Sequence, residues 1–275
     1  MNISKILELF SDDALYTKTG DRRSSFGAFG QLGKGLAFAA VPFGLSALTN
    51  KSYAADISPT PATATGALQL ALTLEYLEAE YYNTALDTAG LIPQADQAII
   101  AQIAQHENAH VTFLAQALGA DAPPIPVFDF TGGNSANGGG PFNPFGDYQT
   151  FLQLAQAFED TGVRAYKGQA GNLMSNPALL TAALQIHSVE ARHASQVRRL
   201  RGQKGWIVGS DRGGLPVQAQ PVYEGEQNTL QAGFNTASVN NTANGPAIPA
   251  SAGAESFDEP IDTATAVTIA NLFIV

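Results

Sequence analysis

Two stretches of this sequence repeat one arrangement of polar residues inside an apolar helical pattern. Each copy has a glutamate, a tyrosine seven residues later, and a Glu-x-x-His pair in the next helical segment. The copies are Glu75, Tyr82, Glu107 and His110, and then Glu159, Tyr166, Glu190 and His193. Because residues three, four and seven apart share one face of a helix, these side chains point the same way as their apolar neighbours. Any fold of this chain must therefore direct four acids and two imidazoles into its interior.

Apolar residues at intervals of three and four predict four helices. We expect them to run from Thr65 to Gly90, from Pro93 to Gly119, from Asp147 to Gly171 and from Asn176 to Arg201. Asp or Asn before a helix, proline in its first turn and glycine after its last turn are typical boundaries. Two short turns make two helical hairpins. The pattern thus predicts an all-α protein with a four-helix bundle over residues 56–205.

Two segments lack helical periodicity. Residues 119–147 form a connection far longer than the usual handful, which we interpret as a crossover joining the ends of two parallel helices. Its "GGNSANGGG" stretch is interpreted as a flexible linker, because a phosphate-binding loop needs a lysine and a strand–helix setting. Residues 206–275 are interpreted as an irregular extension that wraps the bundle. It is predicted to end in a short helix anchored by Ile269, Leu272 and Phe273.

Residues 1–55 differ in composition from the rest of the chain. Arg22 and Arg23 precede an apolar, glycine-rich run, and a small-residue site follows it, ending at Ala54. The run is too short to span a bilayer, which takes about 20 residues, so no stable membrane span is expected. The arrangement resembles a twin-arginine export signal cleaved after Ala54, which predicts a periplasmic or extracellular protein. The alternative is an amphipathic helix that stays on the mature protein.

Charge and cysteine content exclude several classes of function. The net charge of −10 disfavours nucleic-acid partners, because an acidic surface repels phosphate backbones. The chain has no cysteine, which excludes disulfides, zinc–thiolate sites and iron–sulfur clusters. A metal site in this protein must therefore use carboxylate and imidazole ligands.

The repeated motifs carry such ligands. Four unpaired carboxylates in one core are prohibitively costly unless they are neutralised. Two divalent cations would offset most of that charge, so four glutamates and two histidines indicate a site for two metal ions. Carboxylate-rich ligation suits iron or manganese, and zinc can occupy the same ligands adventitiously.

The segments "LTLEYLEAEYYNTAL" and "IAQHENAHVTFL" resemble the ferritin-like di-metal superfamily, and are similar in particular to its bacterial desiccation-related group. The resemblance covers residues 65–202. It implies that Glu107 and Glu190 bridge two metal ions and that Glu75 and Glu159 are terminal ligands. His110 and His193 would each bind one ion. Tyr82 and Tyr166 would donate hydrogen bonds that orient the ligands, although tyrosines at helical spacing are also ordinary core residues.

Several polar neighbours have competing interpretations. Glu78 and Glu80 lie off the apolar stripe and are alternatives for the ligand on the first helix. His187 is either an additional ligand or base, or a histidine satisfied in the helix flank. His106 points about 100° away from the adjacent glutamate and is expected at the surface. Asp160 is expected to be solvated.

The predicted chemistry is that of an oxidoreductase with two iron or manganese ions that react with dioxygen or peroxide. Fe(II) oxidation or peroxide consumption would protect the cell envelope under oxidative or drying stress. A non-enzymatic exported stress protein, with a structural or vestigial metal site, is the main alternative. An iron-storage cage is the least favoured, because the long crossover and extension would obstruct cage packing. Metal ions and small oxidants are the expected partners, and a homo-oligomer is compatible with the pattern.

Overall fold

The computed structural model describes residues 56–133, 139–239 and 248–275. The predicted export signal and the centre of the "GGNSANGGG" stretch lie outside the described residues. Four long helices dominate the described part of the chain and confirm the predicted all-α class. They are α1 (Ala64–Asp87), α2 (Gln97–Leu118), α3 (Tyr148–Gln169) and α4 (Pro177–Leu200). None of the helices within the described ranges combines the length and apolarity needed to cross a bilayer.

The predicted caps form at the starts of α3 and α4. The Asp147 carboxylate accepts a hydrogen bond from the Thr150 backbone N–H at 2.7 Å. Asn176 accepts one from the Leu179 N–H at 3.2 Å, and Pro177 occupies the first turn, where no donor is missed. These contacts satisfy backbone donors that a helix start otherwise leaves unpaired.

The predicted start of the second helix is wrong by four residues. The Pro93 carbonyl accepts hydrogen bonds from the backbone N–H groups of Asp96 and Gln97, so residues 93–96 form a turn and α2 begins at Gln97. The Asp96 side chain makes no cap. Its carboxylate instead accepts a hydrogen bond of 2.9 Å from the Tyr148 hydroxyl at the start of α3. A tertiary contact has taken the place of the local one.

The helices pack as two hairpins, α1 with α2 and α3 with α4, and α1 also packs against α3. The crossover contributes to the core through its aromatic residues. Tyr81 on α1 is fully buried, with its ring 5.0 Å from that of Phe130 and 5.1 Å from that of Phe151. Its hydroxyl donates to the Phe151 carbonyl at 2.9 Å. The crossover is therefore held against α1 and α3 by apolar burial.

The C-terminal extension has little regular structure of its own. Its elements are two 3₁₀ segments (Val217–Val222 and Thr236–Ser238), a hairpin of β1 (Leu230–Gln231) with β2 (Phe234–Asn235), and the short helices α5 (Ser251–Ala254) and α6 (Thr263–Ala270). The α6 helix packs against α1 and α3, with Ile269 and Phe273 buried and Leu272 partly buried. These three residues are the anchor expected from the sequence.

A single arginine holds much of the extension. Arg164 on α3 is 1% exposed, and its guanidinium donates to the carbonyls of Val222, Glu224 and Glu259. It also forms an ion pair with Glu226, at 2.7 Å between Nε and Oε1. Since burying a guanidinium is costly unless its donors are satisfied, the extension and α3 depend on each other.

A glycine permits the closest approach of the extension to α3. A Cβ atom at Gly168 would lie 1.9 Å from the carbonyl oxygen of Ile261, a distance that no side chain could occupy. The Ile261 backbone N–H in turn donates to the Arg164 carbonyl at 3.2 Å. Glycine at this position lets two backbones meet directly.

The expectation that Asp160 is solvated is wrong. Its side chain is on α3, 1% exposed, and both of its oxygens pair with the guanidinium of Arg198 on α4 at 2.5 Å. Tyr223 of the extension is fully buried, and burial together with the nearby charge of Asp160 raises the pKa of its hydroxyl. The extension therefore covers a helix face that would otherwise be open to water.

Candidate metal centre

The structure brings the six predicted ligand residues together. Among the described residues, two groups of donors have ligand atoms that all lie within 4.8 Å of one another. The first group is Glu75, Glu107, His110 and Glu190, and the second is Glu107, Glu159, Glu190 and His193. Glu107 and Glu190 belong to both groups, which is the placement that bridging ligands require. Each group combines three carboxylates with one imidazole, a set of ligands that could hold a metal ion.

The helices place these side chains by their periodicity. Each Glu-x-x-His pair lies on adjacent turns of α2 or α4, so both members face the interior. Glu75 on α1 and Glu159 on α3 complete the set, so that each hairpin supplies one further glutamate. All four glutamates are 0% exposed, which means that water cannot solvate their charge. Some other source of positive charge or hydrogen bonding must do so.

Histidine supplies part of that compensation. Nδ1 of His110 lies 3.1 Å from Glu75, Glu107 and Glu190, and Nδ1 of His193 lies 2.7 Å from Glu107 Oε1. The latter pair is not aligned for a hydrogen bond, despite the short distance. Nδ1 of His193 is one of five buried atoms of the cluster that could ligate a metal and that have no hydrogen-bond partner. The others are Glu107 Oε1, Glu159 Oε2, Glu190 Oε1 and Glu190 Oε2.

These orphaned atoms test whether a metal would fit. Buried polar atoms are almost always hydrogen-bonded, so five exceptions in one place need an explanation. Oxygen and imidazole atoms that converge at short distance without forming aligned hydrogen bonds suit metal ligation. The residues present therefore fit a centre for two divalent ions, held by the two groups of donors.

The electrostatics also favour cations. Burial raises the pKa of Glu107 to about 7, helped by the charge of Glu159, although the nearby imidazoles of His110 and His193 oppose the rise. Burial likewise raises the pKa of Glu159 to about 7, against the opposing charge of His193. Burial also raises the pKa of Glu190, chiefly with the charge of Glu107. Because burial and mutual repulsion disfavour the ionised form of these carboxylates, binding of positive ions would stabilise the cluster.

The two tyrosines cross between the hairpins. The Tyr82 hydroxyl on α1 donates to Glu159 on α3 at 2.5 Å, and the Tyr166 hydroxyl on α3 donates to Glu75 on α1 at 2.6 Å. Each tyrosine thus holds one oxygen of the carboxylate that belongs to a single donor group. The other oxygen of Glu159 has no hydrogen-bond partner, and that of Glu75 lies 3.1 Å from Nδ1 of His110. This is the orienting role that the resemblance implies.

The fold, the buried cluster and the motif spacing agree with one comparison. The profile of the ferritin-like domain family matches residues 63–203, slightly more than half of the chain. The chain belongs to the ferritin-like family. The match spans all four long helices of this ferritin-like protein and ends just beyond α4. A search among curated proteins finds none that matches it.

The alternative ligands lie outside both donor groups. Neither Glu78 nor Glu80 belongs to them. His187 is part-buried, and its Nδ1 pairs with the Val163 carbonyl at 2.9 Å, which places it in the helix flank. His106 was expected at the surface, yet it is part-buried and its Nδ1 lies 2.8 Å from Nε2 of His193. Helical direction alone missed this contact, because the two residues are on different helices.

Glu78 is the buried acid that the helical pattern misplaced. It was expected off the buried face, but it is 2% exposed. Burial raises its pKa well above the usual range, and the charges of Glu190 and Glu159 add to the rise. A small cavity beside it is lined by Phe158 of α3 and Ile269 of α6. The extension therefore covers a face of α1 that a single-helix pattern assigns to solvent.

Replacing Glu78 by glutamine should stabilise the metal-free ferritin-like protein at pH 8 and leave it unchanged near pH 4.5. Because the folded pKa of Glu78 lies above its unfolded value of about 4.5, the folded state retains a proton that the unfolded state releases. Wild-type stability then falls by about 1.4 kcal/mol per pH unit above 4.5, until the folded pKa is reached. Glutamine does not titrate and removes this loss.

Thermal unfolding of chelator-treated protein at several pH values would measure the effect. The control is Glu224→Gln, which removes an exposed carboxylate outside the cluster. A difference between Glu78→Gln and wild type that does not change with pH would contradict the assignment.

Proposed function

We propose that this ferritin-like protein binds two iron or manganese ions in the cluster and uses them as an oxidoreductase toward dioxygen or peroxide. The observation that carries the proposal is the set of five buried ligand atoms without a hydrogen-bond partner, which belong to Glu107, Glu159, Glu190 and His193. A purely structural polar cluster would be expected to satisfy these atoms internally. Bound iron or manganese would supply the electrons that reduce the oxidant.

The chain's own residues would bind the ions, orient their ligands and exclude water. Glu107 and Glu190 are placed to be shared by both ions, while Tyr82 and Tyr166 hold the terminal carboxylates by hydrogen bonds. The complete burial of the four glutamates keeps bulk water away from the ions. Ligands held in this way need little rearrangement when the charge on the ions changes.

A small apolar cavity supports a small oxidant. It is lined by residues that include Leu70, Leu74, Ala165 and Tyr166, and Tyr166 is the residue whose hydroxyl donates to Glu75. Apolar lining suits dioxygen, which needs no hydrogen bonds. We therefore favour Fe(II) oxidation by dioxygen, with peroxide as the second oxidant.

The proposal extends to where the protein acts. The arginine pair and apolar run of residues 1–55 support export, and the likeness of the helix motifs to desiccation-related proteins supports a role under oxidative or drying stress. A protein that acquires its metal before export would benefit from the twin-arginine route, which carries folded chains. Detection of the mature chain outside the cytoplasm, beginning after Ala54, is the expected result.

Turnover by metal-loaded protein is the test of the proposed reaction. We expect Fe(II) oxidation or peroxide loss faster than the same concentration of free metal produces, measured by ferrous-chelator colour and oxygen or peroxide consumption. Glu107→Gln is the matched inactive control. Protein that holds two ions without turnover would favour a non-enzymatic stress protein. A large multi-subunit particle in sedimentation would favour iron storage instead.

A further inference from the structure

A short chain of hydrogen-bonded side chains runs from the edge of α2 to the metal centre. Nε2 of His193 lies 2.8 Å from Nδ1 of His106, and Nε2 of His106 lies 2.8 Å from the side-chain amide of Gln102. The two imidazole planes differ by only 11°, and a nitrogen–nitrogen distance this short means that the rings meet edge to edge. Gln102 is exposed and His106 is part-buried, so the chain connects the cluster with the surface.

Metal ligation allows only one arrangement of protons along this chain. Nδ1 of His193 faces the carboxylates of the cluster, so it must be unprotonated to bind an ion. Its Nε2 then carries the proton and donates a hydrogen bond to Nδ1 of His106. His106 in turn carries its proton on Nε2, where it needs an acceptor. The amide oxygen of Gln102 is that acceptor when the amide group is turned to present it.

The other histidine of the cluster has no equivalent support. His110 directs its Nδ1 at Glu75 and Glu107, and within the described residues its Nε2 makes no hydrogen bond. Residue 189, which corresponds to His106 in the second Glu-x-x-His segment, is a valine. The two halves of the internal repeat are thus alike in their ligands and unlike in what orients those ligands.

The geometry points to His106 as a positioning residue that fixes the tautomer and orientation of His193, and so makes the two metal positions unequal. This inference rests on the proposed di-metal function. A hydrogen-bond partner of this kind changes metal affinity by about 10- to 100-fold. The effect should fall on the position formed by Glu107, Glu159, Glu190 and His193, because His193 belongs only to that group.

Titration of chelator-treated, full-length protein with Mn²⁺, followed by the electron paramagnetic resonance signal of the free ion, separates the two positions. Wild type is expected to take up two ions per chain. His106→Leu keeps bulk but removes the acceptor, so one position should keep wild-type affinity and the other should weaken about 10- to 100-fold. His106→Asn replaces the acceptor with an amide oxygen and should restore binding close to wild type. His187→Leu is the control and should bind both ions normally.

The outcomes distinguish orientation from packing. If His106 served only to fill space, leucine would be tolerated and asparagine would not, which is the reverse of the expected order. Unchanged binding in His106→Leu, equal weakening at both positions, or failure of His106→Asn to restore binding would each overturn the inference. Thermal unfolding of the metal-free variants shows whether they fold. If wild type takes up neither Mn²⁺ nor Fe²⁺, the di-metal proposal itself fails and this inference falls with it.

Discussion

Glutamine in place of Glu107 is expected to abolish stoichiometric metal binding while leaving the protein folded. Glu107 is one of two residues shared by both donor groups, so its loss removes a ligand from each ion at once. We expect affinity to fall by more than the roughly 100-fold that the loss of an outer hydrogen-bond partner can cause. Elemental analysis of protein produced with iron and manganese both supplied, followed by titration of the stripped protein, would measure the loss.

The thermal stability of the metal-free variant shows whether the loss of metal comes from the missing ligand or from unfolding. Burial raises the pKa of Glu107 to about 7, above its unfolded value of about 4.5. The folded state therefore binds a proton more tightly, and wild-type stability falls as pH rises from 4.5 to 7. Glutamine removes that loss, so metal-free Glu107→Gln should be at least as stable as wild type at pH 7. A lower melting temperature would mean that the side chain also has a structural role.

A graded series sharpens the assignment. Glu75 and Glu159 each belong to one donor group, so Glu75→Gln or Glu159→Gln should reduce the stoichiometry to one ion per chain. Glu224→Gln, which removes an exposed charge, should leave two ions bound. Two ions in Glu107→Gln would show that the cluster is not the binding site.

The cluster was predictable because its information is local and repeated. A Glu-x-x-His pair on an apolar stripe specifies which face of a helix is buried, and two matching pairs specify that two such faces meet. The caps at Asp147 and Asn176 are local in the same way, since each bonds a backbone group three residues along the chain. Such features survive whatever the rest of the chain does.

The polar residues placed wrongly are those whose surroundings come from distant sequence. Glu78 is covered with the help of Ile269 and Asp160 with the help of Tyr223, both from the extension. His106 meets a residue on α4 that is 87 positions away. Helical periodicity describes one helix against one core and contains nothing about a second covering layer. The sequence of the extension has too little periodicity to predict where it packs.

Asparagine in place of Asp160 is expected to destabilise the protein by about 3–5 kcal/mol, which is the usual cost of breaking a buried ion pair from one side. The substitution leaves the Arg198 guanidinium, only 3% exposed, without its carboxylate. For a domain of this size the melting temperature should fall on the order of 10 °C. Arg199→Met removes an exposed charge one residue away and should change little.

A double-mutant cycle isolates the pair. Arg198→Met should also destabilise, because it leaves the Asp160 carboxylate buried alone, while the combined variant should lose less than the sum of the two. Additive losses would mean that the two side chains act independently, despite their distance of 2.5 Å. Limited proteolysis adds a second measure. Since Tyr223 of the extension is buried close to the charges of Asp160 and Arg198, the extension should be cleaved sooner in the single variants.

The metal content of Asp160→Asn distinguishes the Asp160–Arg198 ion pair from the metal cluster. Asp160 adjoins Glu159 in sequence but belongs to neither donor group, and its carboxylate pairs with Arg198 of α4 instead. Asp160→Asn should therefore lose stability and keep two ions, whereas Glu107→Gln should keep stability and lose both. If Asp160→Asn lost its metal in proportion to its stability, then the extension would be part of what holds the ligands in place. Unchanged stoichiometry below the melting transition would show that the four helices position the ligands without that ion pair.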